Sequence, residues 1–253
     1  GLNRKGGRKA TFSTQLIGTY IMNFKFEHNP EAPVLEKLTR ASVDGKRIYQ
    51  TPSGAGYPSV TTVLGILGKE DIQKWRDRVG HAEANKISTQ AARRGTAVHK
   101  LCEDYLDNDP DFAKKHMPAN VHLFNTMKPI LDERINNIWY QECFLYSDEL
   151  QTAGQVDCIC EWNGELAVVD FKTSRKPKKV EWILNYYMQV SFYAKAFEEM
   201  TGNKVKKGVI FIGVDDNEPQ VFEFEPADYN DHFKAVRSTY KELYEKDKVH
   251  NNG

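Results

Sequence analysis

The chain lacks what a membrane-crossing helix, a zinc ribbon or a disulfide scaffold requires. No apolar stretch among its 253 residues approaches the ~20 consecutive positions of a membrane-crossing helix. No hydrophobic-centred leader or transit peptide is expected. Cysteine is scarce: Cys102, Cys143, Cys158 and Cys160 form no CxxC pair, which argues against a zinc ribbon. In a chain this long and polar they read as reduced core thiols. Net charge is absent as well, because 35 Lys+Arg balance 35 Asp+Glu. A neutral total does not exclude a polyanionic partner, since phosphate is bound by local clusters.

The charges are segregated. Between Lys172 and Lys179 stand Lys172, Arg175, Lys176, Lys178 and Lys179 without an acid. Between Asp215 and Asp231 stand Asp215, Asp216, Glu218, Glu223, Glu225, Asp228 and Asp231 without Lys or Arg. Such runs are ordinarily solvated faces, so their meaning depends on what they adjoin.

The length suits one substantial core, and no internal repeat is evident. Residues 1–11 are basic and Gly-rich and read as a mobile arm; residues 12–253 are expected to form one domain, divided into 12–138 and 139–253. Strand-like runs lie between Ile21 and Tyr49, with a hairpin at Asp44-Gly45. Ser59 reads as the N-cap of a helix starting at Val60. Amphipathic spacing predicts helices over 70–86, 88–107 and 119–138. After Trp139 the texture turns to strands at 140–146, 152–162 and 166–172, the last two joined by a hairpin at Asn163-Gly164. A helix over 181–201 ends at Gly202, followed by strands at 207–214 and 220–225 and a helix over 227–245. The fold class is α+β, a helical N-terminal half packed on a mixed sheet.

One constellation points to chemistry. Gly154-Gln155-Val156-Asp157 runs into the hairpin and returns as Val168-Val169-Asp170-Phe171-Lys172. Pairing of these strands lets Asp157 and Asp170 converge. The period of two puts Asp170 and Lys172 on one face, with Phe171 on the other. Cys158 and Cys160 likewise share a face, opposite Asp157, and read as core. Two carboxylates beside an ammonium suit phosphodiester hydrolysis: carboxylates hold a divalent cation, which polarises the phosphoryl oxygen and lowers the pKa of a water. The lysine orients that water or offsets developing charge. A lone Asp-x-Lys is also what a structural ion pair on a strand looks like; the upstream Asp157 across a Gly-turned hairpin favours chemistry.

The pattern GxVD, hairpin, VVDFK, then Gln189 and Tyr193 resembles the PD-(D/E)XK nucleases of the RecB type. Gln189 and Tyr193 are spaced to share one helix face. The resemblance implies a restriction-endonuclease-like core, a mixed central sheet flanked by helices, and DNA as substrate, with no membrane partner. It makes Asp157, Asp170, Lys172, Gln189 and Tyr193 catalytic, the last two placing the lysine and the DNA. Arg94-Gly95-Thr96-Ala97-Val98-His99 is similar to the family's G-x-x-x-H motif, so His99 joins Asp157, Asp170 and the carbonyl of Phe171 as expected metal ligands. Glu142 falls where the family keeps an acidic residue near the site. Glu103, one turn beyond His99, either contacts a metal-bound water or holds a surface ion pair.

Pro58-Ser59-Val60-Thr61, His99 with Glu103, and Asp170 to Ser174 with Lys176-Pro177-Lys178 narrow the likeness to an exonuclease branch with mitochondrial and phage members. That implies digestion from ends, on single-stranded or frayed DNA, with two divalent ions, Mg²⁺ or Mn²⁺. The setting implied is a cytoplasm, phage-infected in the viral case, or a mitochondrial matrix, and the tasks are replication, repair, recombination or phage DNA metabolism. Some relatives carry an iron–sulfur cluster on cysteines beyond the nuclease core; no cysteine follows Cys160, so no cluster is expected. Lys176, Lys178 and Lys179 are expected at the site mouth against phosphates. Arg93 and Arg94 are either phosphate contacts or solvated helix arginines. Trp75, Trp182, Tyr186 and Tyr187 are either core or base-stacking residues. A structure-specific endonuclease and an inactive nucleic-acid-binding module remain the alternatives.

Overall fold

The computed structural model describes residues 14–17, 20–23 and 25–246; the basic arm expected at 1–11 lies outside them. Strands β1 (Thr14–Ile17) and β2 (Tyr20–Asn23) pair with each other. A three-stranded antiparallel sheet follows: β3 (Thr39–Val43), β4 (Lys46–Gln50) and β5 (Gly56–Pro58). The β3–β4 turn is Asp44-Gly45, both residues at positive φ (52° and 74°), the geometry that Asp-Gly favours in two-residue hairpins. Helix α1 (Val60–Leu64) starts at Ser59, whose side chain accepts from the Thr62 amide. That hydroxyl satisfies one of the orphan donors of the first turn.

Helices α2 (Lys69–Val79) and α3 (His81–Leu106) meet at Gly80. The break therefore lies seven residues earlier than the spacing of apolar positions predicts. The cause is backbone geometry: Gly80 has φ 90°, which a side chain strongly disfavours. Helix α4 (Pro118–Arg134) opens on a proline in its first turn, where the missing N–H costs nothing. It stops four residues short of the expected 138, because Ile135 is already extended. From there β6 (Ile135–Ser147) runs through Ile138, Trp139 and Tyr140, residues that favour a pleated surface.

The main sheet has the order β10-β9-β8-β7-β6, adding β7 (Thr152–Trp162), β8 (Glu165–Ser174), β9 (Lys207–Val214) and β10 (Gln220–Phe224). The β7–β8 turn is Asn163-Gly164, again at positive φ (51° and 80°). Only β8 and β9 are parallel, and their crossover is helix α5 (Leu184–Thr201), which ends at Gly202 in the left-handed conformation. Helix α6 (Asn230–Tyr244) closes the described chain. The architecture is α+β, with a mixed five-stranded sheet covered on both faces.

Two cores result. Val168, Ile210 and Ile212 pack under α5 and α6, with Phe192, Phe197 and Phe233. Val169, Phe171, Val209 and Phe211 pack under α3 and α4, with Leu101, Phe124 and Met127. Burial on both faces explains why the central strands read as continuous apolar runs rather than alternating ones. Cys158 and Cys160 lie in the second core, with Cys102; all four cysteines are free. Among the described residues no helix is long and apolar enough to cross a membrane.

Candidate active site

The site forms where two central strands stop pairing. The β7–β8 ladder runs from Trp162–Glu165 to Cys158–Val169 and ends there, while β8 continues beside β9 to Ser174. Asp157 is the first residue past the last rung. Its Oδ2 accepts the Phe171 amide at 2.8 Å, so a carboxylate occupies the place of a strand carbonyl. Asp157 and Asp170 are 7% and 2% exposed. Burial, and then the charge of Asp170, lifts the Asp157 carboxyl well above its ordinary range, and Glu142 adds to the effect.

On the face of β8 that α5 covers, Lys172 Nζ lies 3.0 Å from Asp170 Oδ2 and 2.9 Å from Gln189 Oε1. Gln189 Nε2 donates to Tyr193 Oη at 3.1 Å, and Tyr193 donates to the Gln155 carbonyl at 3.0 Å. The ammonium also stands 4.7 Å from the centre of the Tyr186 ring. Burial opposes its charge, but Asp170 and Asp157 outweigh burial and the ammonium titrates above its ordinary value. The glycine of the GxVD stretch permits this packing. A Cβ on Gly154 would sit 2.9 Å from Val60 Cγ1 and 3.0 Å from Tyr193 Cε1, closer than side chains pack.

From the other face α3 brings His99. Its Nε2 contacts the Phe171 carbonyl and lies 3.7 Å from Asp157 Oδ2. Burial lowers its pKa, although Asp170 and the carbonyl pull the other way, so the ring is held neutral, the form that binds metals. Glu142 faces Asp157 across the β6–β7 ladder, between the rungs Gln141–Cys158 and Cys143–Val156. It has φ 50°, a backbone state that costs a non-glycine residue roughly 1–3 kcal/mol and recurs at functional sites. Burial, then the charges of Glu103 and Asp170, push its carboxyl up to about 7.

His99, Glu142 and Asp157 each offer a ligand atom, all within 4.8 Å of one another. Asp170 Oδ2 is buried without a hydrogen-bond partner, although Lys172 stands beside it. An orphaned carboxylate oxygen, a neutral imidazole, a strand carbonyl and two carboxylates with raised pKa make a donor set that fits a hard divalent cation.

The periphery is less uniform. Arg93, Lys176 and Lys179 are exposed and Lys178 half-buried. The segment carrying the lysines is pinned: Ser174 Oγ donates to the Lys176 carbonyl at 2.6 Å, and the Gln220 amide group bonds both backbone groups of Lys178. Arg94 departs from the expectation of a phosphate contact. Its guanidinium is committed to Asp215 at 2.6 Å, clamping α3 to the end of β9. Asp215 was missed as a site neighbour; its only signal was membership of the acid run. Glu103 pairs with Lys100 at 3.2 Å and also acts electrostatically on Glu142. Tyr187 is buried and stacked on Tyr229, Trp75 and Tyr186 are half-buried, and Trp182 is exposed.

Comparison with known proteins gives three findings. Residues 131–252 match the PD-(D/E)XK nuclease superfamily. The chain is similar to mitochondrial genome maintenance exonuclease 1, at 27% identity in Xenopus tropicalis (70% of this chain, 54% of the relative) and 26% in Mus musculus (64% and 51%). A shorter stretch, 27% of the chain, is 36% identical to 6% of an ATP-dependent helicase/nuclease polypeptide of Clostridium kluyveri. The chain thus spans about half the length of the curated exonuclease relatives it matches.

Proposed function

Since residues 131–252 match the PD-(D/E)XK nuclease superfamily, we propose that the chain is a metal-dependent DNA exonuclease acting on single strands or frayed ends. The observation that carries this reading is the convergence at the end of the β7–β8 ladder: Asp157 on the Phe171 amide, His99 on the Phe171 carbonyl, and Lys172 on Asp170. His99, Asp157, Asp170 and the Phe171 carbonyl serve as metal ligands in this reading, with Glu142 beside them. These residues would hold two divalent ions, Mg²⁺ or Mn²⁺, which when bound would supply polarisation of the phosphoryl oxygen and acidification of water.

The protein's own groups do the rest. Lys172 orients the attacking water and offsets charge that develops on the phosphoryl oxygens. Gln189 and Tyr193 hold that ammonium in place. Arg93, Lys176, Lys178 and Lys179 meet phosphates of the strand, a task from which the ion pair with Asp215 removes Arg94. The names of the exonuclease relatives support genome maintenance in mitochondria as the setting; a phage-borne chain would do the same work in a host cytoplasm. Those names also support attack from ends.

The test is digestion of one single-stranded DNA in circular and linearised form, end-labelled at either terminus, with and without divalent ions. Only the linear molecule should be degraded, and only with metal. Equal rates on both forms would sink the exonuclease reading and establish an endonuclease of the same chemistry.

A further inference from the structure

Immediately after the basic run the chain turns three apolar side chains outward. Val180 is 43%, Trp182 61% and Leu184 43% exposed, while Ile183 between them is buried. A 3₁₀ turn over Val180–Trp182, closed by the Trp182 and Ile183 amides on the Lys179 and Val180 carbonyls (3.0 and 3.1 Å), fixes this arrangement. The turn does not stand on a loose loop. The hydrogen bonds of Ser174 and Gln220 to the backbone at Lys176 and Lys178 hold the segment that leads into it. An indole left outside forfeits the gain of its own burial, here on a rigid support eight residues past the end of β8.

Two further features identify what covers the ring. Lys179 Nζ stands 5.2 Å from the indole, and Lys176 and Lys178 precede it, so the patch joins an aromatic face to an array of cations. Four residues on, Tyr186 carries the Lys172 ammonium over its own ring. One stretch of chain therefore carries an exposed ring beside Lys179 and a second ring at the Lys172 ammonium. A ligand with flat apolar faces joined by anions matches both features, and that is an unpaired polynucleotide strand. Bases of an intact duplex present no free face except at an end.

We propose that Trp182, backed by Lys179, is a stacking platform for a nucleobase of the bound strand, and that it makes the site select unpaired DNA. The proposal deepens the nuclease reading and rests on it, but it concerns binding and is tested without cleavage. Metal-free protein is titrated with oligothymidylate and with an abasic sugar–phosphate oligomer of equal length, following fluorescence anisotropy of a label on the oligomer. Wild type should bind oligothymidylate at least about ten-fold more tightly, the scale of a single aromatic stack. W182A should lose most of that preference with unchanged affinity for the abasic oligomer, and W182F should keep much of it. The same discrimination in W182A as in wild type would overturn the platform. A preference that depends on Trp182 in a protein that cleaves nothing with metal would retain the platform and remove the nuclease reading instead.

Discussion

The ammonium of Lys172 lies 2.9 Å from Gln189 Oε1, which joins β8 to the helix that covers it. Through Tyr193 the same chain of hydrogen bonds reaches the Gln155 carbonyl, two residues before Asp157. Position of the lysine and course of the neighbouring strand are therefore linked.

Lys172→Ala should lower turnover by ~10²-fold or more, the usual loss for a preorganised electrostatic group, with the fold retained. Gln189→Ala should cost less, and the double variant no more than Lys172→Ala alone, because both act through one ammonium. Single-turnover rates at saturating DNA measure this. Additive losses would show that Gln189 acts independently of Lys172.

His99→Ala should raise the metal concentration required for half-maximal cleavage. In wild type, Mn²⁺ should support activity at least as well as Mg²⁺, since a donor set with imidazole suits it better. Removing metal with a chelator should abolish cleavage and lower the melting temperature. An unchanged metal dependence in His99→Ala would remove the imidazole from the ligand set.

Arg94→Ala should leave the dependence of DNA affinity on salt unchanged, because its guanidinium is occupied by Asp215. Lys176→Ala should flatten that dependence by about one counterion. The Arg94 variant should instead melt earlier, as should Asp215→Ala, with combined effects less than additive. A reduced salt slope for Arg94→Ala would return it to the phosphate contacts.

Glu142 gives a pH dependence. Its carboxyl titrates near 7 in the folded protein against an ordinary 4.5, so the folded state binds the proton more tightly. The metal-free protein should lose stability from this group as pH rises from about 4.5 through 7, and Asp157 acts in the same direction. Glu142→Gln removes the penalty. Its melting temperature without metal should gain on wild type between about pH 5 and pH 8, and added Mn²⁺ should shrink the gap. A gap independent of pH would show that Glu142 is not desolvated.

Much of this was legible locally. Asn163-Gly164 and Asp44-Gly45 mark hairpins because their backbone states are sterically specific, and the GxVD and VVDFK stretches mark strands whose pairing brings Asp157 to Phe171. Other features had no local signature. The break at Gly80 and the early start of β6 at Ile135 were misplaced, since apolar spacing alone locates element ends poorly. The clamp of Arg94 on Asp215 joins positions 121 residues apart, and nothing near either residue announces the other. Nor did anything in the ladder's sequence show that its pairing would stop at Cys158–Val169, leaving Asp157 to take over a strand hydrogen bond.

The segment that matches the superfamily begins at residue 131, yet His99 enters the site from α3, outside it. An ion gripped by His99 and Asp157 together would act as a rivet between two stretches of chain. Whatever part of its affinity depends on both grips is cohesion of α3 to the sheet. Loading the site would then do more than arm it. It would tie the long helix down over β8, so that ion concentration would set how tightly α3 and the sheet are joined.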